Sequence, residues 1–281
     1  MALRIVTDST ADLPEKIVAE YGIEVVPLNV HFGEEVYKDG VDIWSEEFYN
    51  RIRNEPLLPN TSQPAPGDFL KAYQKVAKPG DTIISIHISR EMSGTADSAQ
   101  LAAEMMGPDY QIYVIDSRNV TMALGAMVLK AAMAAKRGEP AETILADIAK
   151  WKNEISIYFT LKSLEYLHRT GRIGKASVLM GSLLNIKPIL AIEDGIIIPS
   201  EKVRGNYQKV AELMVDKLAK RYGNQPLLVS VVHTELTSEM ETLAALAKNN
   251  LNIQEMVINI VGPIVGAHAG PNTIGIIALP A

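Results

Sequence analysis

Residues 81–95 read DTIISIHISREMSGT, and this stretch decides how the rest of the chain is interpreted. The run from Asp81 to Ile88 is apolar and rich in β-branched side chains, which is typical of a buried strand. After the turn, a helical pattern runs from Ser93 to about Met106. In parallel α/β sheets, ligands bind beyond the carboxyl ends of the strands, where helices begin. The stretch therefore predicts a strand–turn–helix unit with a ligand-facing turn.

Similar units lie on both sides of this stretch. Strand patterns at Leu3–Thr7 and Tyr110–Ile115 alternate with helical patterns at Gly67–Ala77 and Asn119–Arg137. Glu24–Phe32 is predicted to be one further strand. Because strands that alternate with helices indicate βαβ units, the first part of the chain is predicted to contain a mostly parallel sheet.

The second part of the chain has a different pattern. Predicted strands at Lys187–Ile192 and Ile196–Val203 lie on either side of Asp194-Gly195, and an Asp-Gly pair between two strands is a strong hairpin signal. A hairpin introduces antiparallel pairing, so this second sheet is predicted to be mixed. Helices are predicted at Leu161–His168 and Lys175–Leu184.

The length of the chain bears on its division into domains. At 281 residues it exceeds the size at which one hydrophobic core usually keeps growing. We therefore predict an α/β protein with two α/β domains, residues 1–152 and 153–281. The boundary follows the predicted helix Ala141–Lys150.

The composition restricts the function. The formal net charge is −6, which argues against nucleic acid or an anionic membrane surface as the main partner, because both select for basic patches. The absence of cysteine excludes disulfides, thiolate nucleophiles and cysteine-ligated metals. The five histidines show no metal-ligand spacing, so no metal site is expected. We expect a cytoplasmic protein without a signal peptide or a transmembrane segment.

Two motifs carry hydroxyl groups. Thr61-Ser62-Gln63-Pro64 lies in a proline-dense stretch, residues 55–66, which is predicted to be an extended loop stiff enough to aim hydroxyls at a ligand. Ser93-Gly94-Thr95 lies where the turn meets a helix start, whose free N–H groups attract anions. Both motifs also have a purely structural interpretation, because serine and threonine often cap turns and helices.

Two further motifs carry an imidazole and guanidinium groups. In residues 262–271, GPIVGAHAGP, three glycines and two prolines surround His268, which favours a ligand-facing imidazole. Residues 168–175, HRTGRIGK, form a basic cluster at a predicted helix end. The helix dipole explains part of this cluster, and the remainder can bind phosphate or an acidic partner surface.

Common catalytic motifs are missing from the sequence. Ser93 is not in a nucleophile elbow, because Glu91 stands where the first glycine is required. Residues 169–176 do not form a P-loop, since Arg169 replaces its first glycine. Asp8 ends the first predicted strand, where it could bind a metal or act as a nucleophile; its expected role is hydrogen bonding to the turn that follows. We therefore predict no catalytic residue.

Five motifs together resemble the DegV family. They are VTDSTADL at residues 6–13, TSQP at 61–64, SGT at 93–95, LEYL at 164–167 followed by GRI at 171–173, and the segment 262–271. The resemblance spans essentially the whole chain. It implies two α/β domains that hold a lipid between them, and a role as the fatty-acid-binding subunit of a bacterial fatty-acid kinase. In such a system a separate ATP-dependent kinase phosphorylates the carboxylate, giving an acyl phosphate for phospholipid synthesis.

The resemblance also implies a ligand site and no cofactor, with a long-chain fatty acid as the ligand. The residues at or beside the fatty-acid carboxylate would be Thr61, Ser62, Ser93, Gly94 and His268. The side that faces the kinase or the phosphate would carry Arg169 and Arg172.

Two other functions are compatible with the same residues. A serine hydrolase or acyltransferase would use Ser93 as the nucleophile and His268 as the base. A dihydroxyacetone-kinase-like substrate subunit would use His268 to capture a small ketone covalently.

Overall fold

The computed structural model describes residues 2–55, 58–181 and 186–281. The strands of the first part are β1 (Leu3–Asp8), β2 (Glu24–Val26), β3 (Asn29–Phe32), β4 (Glu35–Lys38), β5 (Asn60–Ser62), β6 (Thr82–His87) and β7 (Gln111–Asp116). The helices of this part are α1 (Glu15–Tyr21), α2 (Ser45–Asn54), α3 (Pro66–Val76), α4 (Thr95–Met106), α5 (Thr121–Lys136) and α6 (Ala141–Glu154).

The second part carries six strands and four α-helices among the described residues. The strands are β8 (Ser156–Thr160), β9 (Lys187–Glu193), β10 (Ile196–Val203), β11 (Leu227–His233), β12 (Ile253–Ile260) and β13 (Ile274–Pro280). The helices are α7 (Glu165–Arg169), α8 (Tyr207–Tyr222), α9 (Ser238–Asn250) and α10 (Pro263–Ala269). No helix of the described ranges is long and apolar enough to cross a membrane.

The first sheet has the strand order β2-β1-β6-β7, and all its neighbours pair in parallel. The prediction of a parallel sheet around β6 is confirmed. The carboxyl ends of β1 and β6 lie side by side, so Asp8 and His87 meet there, with 2.9 Å between Oδ2 and Nδ1. Asp8 also accepts hydrogen bonds from the backbone N–H groups of Thr10 and Ile88. This carboxylate closes the turn after β1, as expected from the sequence.

The prediction of one continuous strand from Glu24 to Phe32 is wrong. The strand breaks at Pro27, because proline has no backbone N–H to donate to a sheet ladder. β2 therefore pairs with β1, whereas β3 joins a separate antiparallel sheet of order β4-β3-β5. In this small sheet Thr61 pairs with Val30, so Asn60–Ser62 of the proline-dense stretch form a strand and not a loop. Pro56 and Leu57 of that stretch lie outside the described residues.

The second sheet has the order β10-β9-β8-β13-β11-β12 and is mixed, as predicted. β11 and β12 pair in parallel, and the other neighbours pair antiparallel. The β9–β10 hairpin turns at Asp194 and Gly195, whose φ values are 49° and 82°. Positive φ at both turn positions is the geometry for which an Asp-Gly pair is suited.

Three segments of the second part differ from their predicted form. The helix predicted at Leu161–His168 is only the shorter α7, and Ser163 Oγ accepts from the N–H of Glu165 where that helix begins. The helix predicted at Lys175–Leu184 is a 3₁₀ helix over Gly174–Leu179. The end of that predicted helix, residues 182–184, lies outside the described residues. Helix α10 was not predicted; Pro263 opens it, where a missing N–H costs little.

One apolar core joins the two parts of the chain. Helix α5 is buried on most of its faces and packs together with α6 between the two sheets. The core includes Ile84 of β6, Leu124 of α5 and Ile277 of β13. The described strands of the first part fall within residues 3–116, and those of the mixed sheet fall within residues 156–280. The domain division at 152/153, in the last turn of α6, stays a prediction.

Candidate functional site

A cavity of about 320 Å³ lies between the two parts of the chain, and we call it the central cavity. Its volume is at the lower end of the range of about 300–1,000 Å³ typical of small-molecule sites. Most of its walls are apolar. The apolar lining consists of Leu28, Ile88, Met92, Val120, Ile157, Phe159, Leu167, Ile192, Ile197, Val232, Val261, Ile264, Val265 and Ala269.

The polar lining of the central cavity comes from a few separate segments. It consists of Thr61, Ser62, Gln63, Ser93, Thr121, Arg172, His268 and Thr273. An apolar cavity with a small number of polar groups is suited to a ligand that is itself mostly apolar and has one polar end.

Thr61 and His268 form a contact that joins the two parts of the chain within this cavity. Their side chains are 2.8 Å apart, measured from Thr61 Oγ1 to His268 Nε2. Strand β5 holds Thr61 through its pairing with Val30, and helix α10 holds His268. The second ring nitrogen of His268, Nδ1, is buried and has no hydrogen-bond partner. It is therefore available to a ligand.

The imidazole of His268 is neutral at pH 7. Burial lowers its pKa from the usual 6.5 to about 4, and the nearby guanidinium of Arg172 acts in the same direction. A neutral imidazole has one donating and one accepting nitrogen. With Nε2 next to a hydroxyl, the ring can form one hydrogen bond to Thr61 and one to a ligand.

Ser93 also lines the central cavity, two residues before helix α4 begins at Thr95. Its Oγ is 2.8 Å from Oγ1 of Thr95, the fully buried first residue of that helix. The first N–H groups of a helix have no partner within it, so the end of α4 favours an anionic group near Ser93.

Ser62 and Gly94 have different surroundings from Thr61 and Ser93. The Oγ of Ser62 lines the cavity and is 2.8 Å from Nε2 of His31. Gly94 does not line the cavity; a Cβ at this position would collide with the side-chain amide of Gln63. The glycine therefore allows Gln63 to reach the cavity wall, where its Nε2 donates to Ser98 Oγ at 2.9 Å. Gln63 and His31 were not predicted as site residues, although Gln63 stands inside the TSQP motif.

The two arginines of the basic cluster, residues 168–175, have different surroundings. Arg172 lines the central cavity, and it donates from Nε to the Met92 carbonyl and from Nη1 to the Thr170 carbonyl. Arg169 is exposed on α7 and does not line the cavity. It forms no hydrogen bond or ion pair within the described ranges. The structure therefore places Thr61, Ser62, Ser93, Arg172 and His268 on one cavity, and leaves Gly94 and Arg169 outside its lining.

The geometry does not contain a Ser–His–acid arrangement at this site. Ser93 is hydrogen-bonded to Thr95 and His268 to Thr61, so no described hydrogen bond joins Ser93 to His268. The Nδ1 atom of His268 has no carboxylate to orient the ring. In this geometry the polar residues can hold an anionic group, but they do not deprotonate a serine.

Comparison with known proteins agrees with this description. The DegV family model matches residues 2–281. A DegV domain-containing protein of Deinococcus radiodurans is 35% identical, covering 100% of this chain and 99% of that protein. Two solved structures are similar over 100% of both chains: a fatty-acid-binding DegV family protein of Thermus thermophilus, with a TM-score of 0.93 and 31% identity, and DegV, a fatty-acid-binding protein of Bacillus subtilis, with a TM-score of 0.89 and 32% identity.

The match covers both sheets, the helices between them and the segments that line the central cavity. A family model over nearly the full length and a relative at 35% identity are independent of the site geometry described above. The chain belongs to the DegV family.

Proposed function

We propose that this protein binds a long-chain fatty acid in the central cavity and presents its carboxylate to a separate ATP-dependent kinase. The observation that carries the proposal is an apolar cavity that contains an unpartnered imidazole nitrogen beside two hydroxyl-bearing segments. The relatives of known structure that are described as fatty-acid-binding proteins support the same ligand class.

The apolar walls would supply most of the affinity. Burial of one CH₂ contributes about 0.8 kcal/mol, so a chain of about 15 methylenes gains on the order of 12 kcal/mol before ordering costs. Phe159, Ile192 and Ile264 are among the side chains that would surround this chain. The polar residues would orient the ligand and add a smaller share of the affinity.

The polar lining would hold the carboxylate. An ionised carboxylate in an apolar cavity is costly unless it accepts hydrogen bonds. Ser93 can donate one bond, and the Thr61–His268 pair can donate another, from Nδ1–H of His268 when the Thr61 hydroxyl donates to Nε2. The N-terminus of α4 adds a favourable dipole. Ser62 and Gly94 would act indirectly, Ser62 through its contact with His31 and Gly94 by admitting Gln63.

The basic cluster would help phosphoryl transfer by neutralising charge and by contacting the kinase. Phosphoryl transfer depends mainly on positioning and charge neutralisation, and this chain has no P-loop of its own. Arg172 lies at the cavity and carries a positive charge beside His268, so it can neutralise charge on the reacting carboxylate or phosphate. Arg169 is exposed and without a partner among the described residues, which suits contact with the kinase.

Ligand binding is tested by native mass spectrometry of the protein purified from a bacterial host. We expect a mass increase that matches a C16 or C18 fatty acid and that is released on denaturation. His268→Ala, Thr61→Ala and Ser93→Ala should lower occupancy or shift the bound species. The matched control Ser238→Ala, at an exposed position on α9, should not. A protein that stays ligand-free after incubation with several fatty acids would disprove the proposed ligand.

Presentation to a kinase is tested separately, with lipid-loaded protein, ATP and the kinase. We expect acyl phosphate to form with the wild-type protein and with Ser238→Ala. Arg172→Ala should retain the lipid and lose most of the product, because it removes charge near the carboxylate without shortening the apolar walls. Full product formation by Thr61→Ala, Ser93→Ala and His268→Ala together would show that the site is assigned to the wrong residues.

A further inference from the structure

A second cleft, of about 460 Å³, lies beside the central cavity, and we call it the acidic cleft. The residues that carry the argument below are Asp12, Asp39, Val41, Trp44 and Ile260, all of which line it. None of them lines the central cavity.

A single layer of residues separates the two spaces. Thr121 lines the central cavity, and its hydroxyl donates to Oδ2 of Asp12 at 2.6 Å. Leu28 lines the central cavity as well, and its backbone N–H donates to Oγ of Ser9, which lines the acidic cleft. The acidic cleft is therefore a separate space and not the open end of the central cavity.

The acidic cleft contains two carboxyl groups, of Asp12 and Asp39, that differ in their partners. Asp12 uses both oxygens: Oδ1 accepts from the backbone N–H of Gly262 at 3.1 Å, and Oδ2 accepts from Thr121. Asp39 is 5% exposed, and its Oδ2 has no hydrogen-bond partner. An unpaired buried carboxylate oxygen is costly, so this atom indicates a missing donor.

The rim of the acidic cleft is apolar and open to solvent. Trp44 is 50% exposed, and Val41 and Ile260 next to it are also exposed. Large exposed apolar side chains that surround a polar floor are typical of a binding site. The indole ring can in addition attract a cation held near its face.

The residues of the acidic cleft favour an organic ammonium ion over a metal ion. The described residues contain no group of three or more histidine, aspartate or glutamate side chains that could hold a metal ion. The missing partner must donate hydrogen bonds to Oδ2 of Asp39 and also cover apolar side chains. A primary ammonium group has three N–H donors, and an attached methylene chain is apolar.

We propose that the acidic cleft binds a primary alkylammonium group, which donates to Oδ2 of Asp39 while its methylene chain lies against Trp44 and Val41. Either a free alkylamine or a lysine side chain of a docking protein presents this chemistry. The site is independent of the fatty-acid proposal, since the two spaces share no lining residue among those that carry the argument.

Binding at this site depends on the ionisation of Asp39. Burial raises the pKa of this carboxyl to about 7, and the charge of Asp8 acts in the same direction. Other titratable groups that face it are Asp12, whose pKa is raised by burial, and Tyr49, whose raised pKa keeps its hydroxyl neutral. Glu15 lies at the rim. An ammonium ion prefers the ionised carboxylate, so binding should strengthen as the pH rises through 7.

The test uses Trp44 as the reporter. The chain has two tryptophans, so Trp151→Phe leaves Trp44 as the only source of indole fluorescence. We expect n-butylammonium to change the emission in a saturable way, with a lower midpoint at pH 8 than at pH 6. The neutral isostere n-butanol, and sodium chloride at equal ionic strength, should produce no saturable change. Tetramethylammonium, which has no N–H donor, should bind at least about tenfold more weakly, since it cannot satisfy Oδ2.

The variant Asp39→Asn should raise the midpoint for n-butylammonium at least about tenfold, because it removes the charge while keeping the side-chain shape. If Nα-acetyl-lysine methylamide binds as well as n-butylammonium, the cleft accepts a lysine within a peptide chain. If only the free amine binds, the ligand is a small molecule, and the proposed chemistry holds in either case. An equal response to n-butanol, an unchanged midpoint in Asp39→Asn, or no saturable response of the folded wild-type cleft would overturn the proposal. The ligand comparison uses unaltered Asp39, so it decides the matter even if the asparagine variant fails to fold.

Discussion

The burial of His268 makes the free energy of unfolding of the whole protein depend on pH. Burial lowers its pKa from 6.5 to about 4, so between these values the unfolded chain binds a proton that the folded chain does not. The free energy of unfolding therefore increases with pH in this window, and the stabilisation is lost as the pH falls through it. A shift of this size corresponds to at most about 3 kcal/mol.

We predict that the lipid-free protein loses up to about 3 kcal/mol of unfolding free energy from this residue between pH 7 and pH 4. Denaturant titration at both pH values measures the loss. His268→Gln should reduce the difference, because glutamine does not titrate. His168→Gln, at an exposed position on α7, is the matched control and should leave the difference unchanged. Retention of the full pH dependence in His268→Gln would contradict the assignment.

Asp39 has the opposite effect on stability. Its pKa is raised from 3.8 to about 7, so the folded state holds a proton that the unfolded state releases between these values. The carboxyl therefore favours folding below pH 3.8, and this contribution is lost as the pH rises to 7. At pH 8 the buried, partly unpaired charge destabilises the folded protein.

We predict that Asp39→Asn stabilises the protein by about 1–3 kcal/mol at pH 8 and has little effect near pH 4, where both side chains are neutral. Thermal unfolding at the two pH values measures this difference. Asp216→Asn, on the exposed face of α8, should change neither value. Destabilisation of Asp39→Asn at pH 8 would show that the carboxylate is satisfied in a way that the structure does not contain.

Among the secondary-structure elements at the site, the short helix α10 packs closely against its neighbour α2. Gly266 faces α2, and a Cβ there would lie 2.9 Å from Cζ of Tyr49. The hydroxyl of Tyr49 in turn donates to the carbonyl of Val261 at 3.0 Å, directly before α10. Tight packing on this face fixes the position of His268 on the same helix.

We predict that Gly266→Ala costs about 1–3 kcal/mol of unfolding free energy and weakens fatty-acid binding, because the added methyl group displaces α10. The matched control is Gly67→Ala in helix α3, where a Cβ meets nothing within 4 Å. That control should be neutral or stabilising by up to about 1 kcal/mol, since alanine favours a helix over glycine. Chemical denaturation and a lipid-binding titration of both variants measure the contrast. Equal effects of the two substitutions would contradict the packing argument.

The elements that sequence reasoning predicted well are those whose signal is local. The parallel sheet around β6 follows from the spacing of strands and helices, and the β9–β10 hairpin follows from Asp194-Gly195. The break at Pro27 was missed because the apolar pattern continues across it, although the missing N–H prevents a continuous ladder. Helix α10 was missed because its seven residues, which lie between Gly262 and Gly270, are too few to show helical periodicity.

The site could be predicted only in part, for a related reason. Motif positions suggested Thr61, Ser93 and His268, and the structure places all three on the central cavity. The apolar lining from β8, β9 and β10 depends on how the two sheets face each other, which no local pattern encodes. The same limit applies to Arg169 and Arg172, which differ by three positions in sequence, yet only Arg172 lines the cavity.

In the whole molecule, the ligand cavity and the apolar core lie at the same interface, between the two parts of the chain. The central cavity lies between the two parts of the chain, and the core that includes α5 and α6 joins them. Thr61 and His268 connect the parts directly, as do Ser89 Oγ and the carbonyl of Gly195 at 2.9 Å. A fatty acid in the cavity would contact both parts, so its binding energy should stabilise the complete fold rather than one sheet alone.

We predict a single unfolding transition whose midpoint rises when delipidated protein is reloaded with palmitate. Binding at 100 times Kd adds about 2.7 kcal/mol, which corresponds to a shift of about 5 °C for a chain of this size. Differential scanning calorimetry at several palmitate concentrations measures the shift. Ser238→Ala should shift as the wild type does, whereas His268→Ala should shift less at equal palmitate, because its carboxylate site is incomplete. Two separate transitions, of which palmitate moves only one, would mean that the parts unfold independently and that the ligand belongs to one of them.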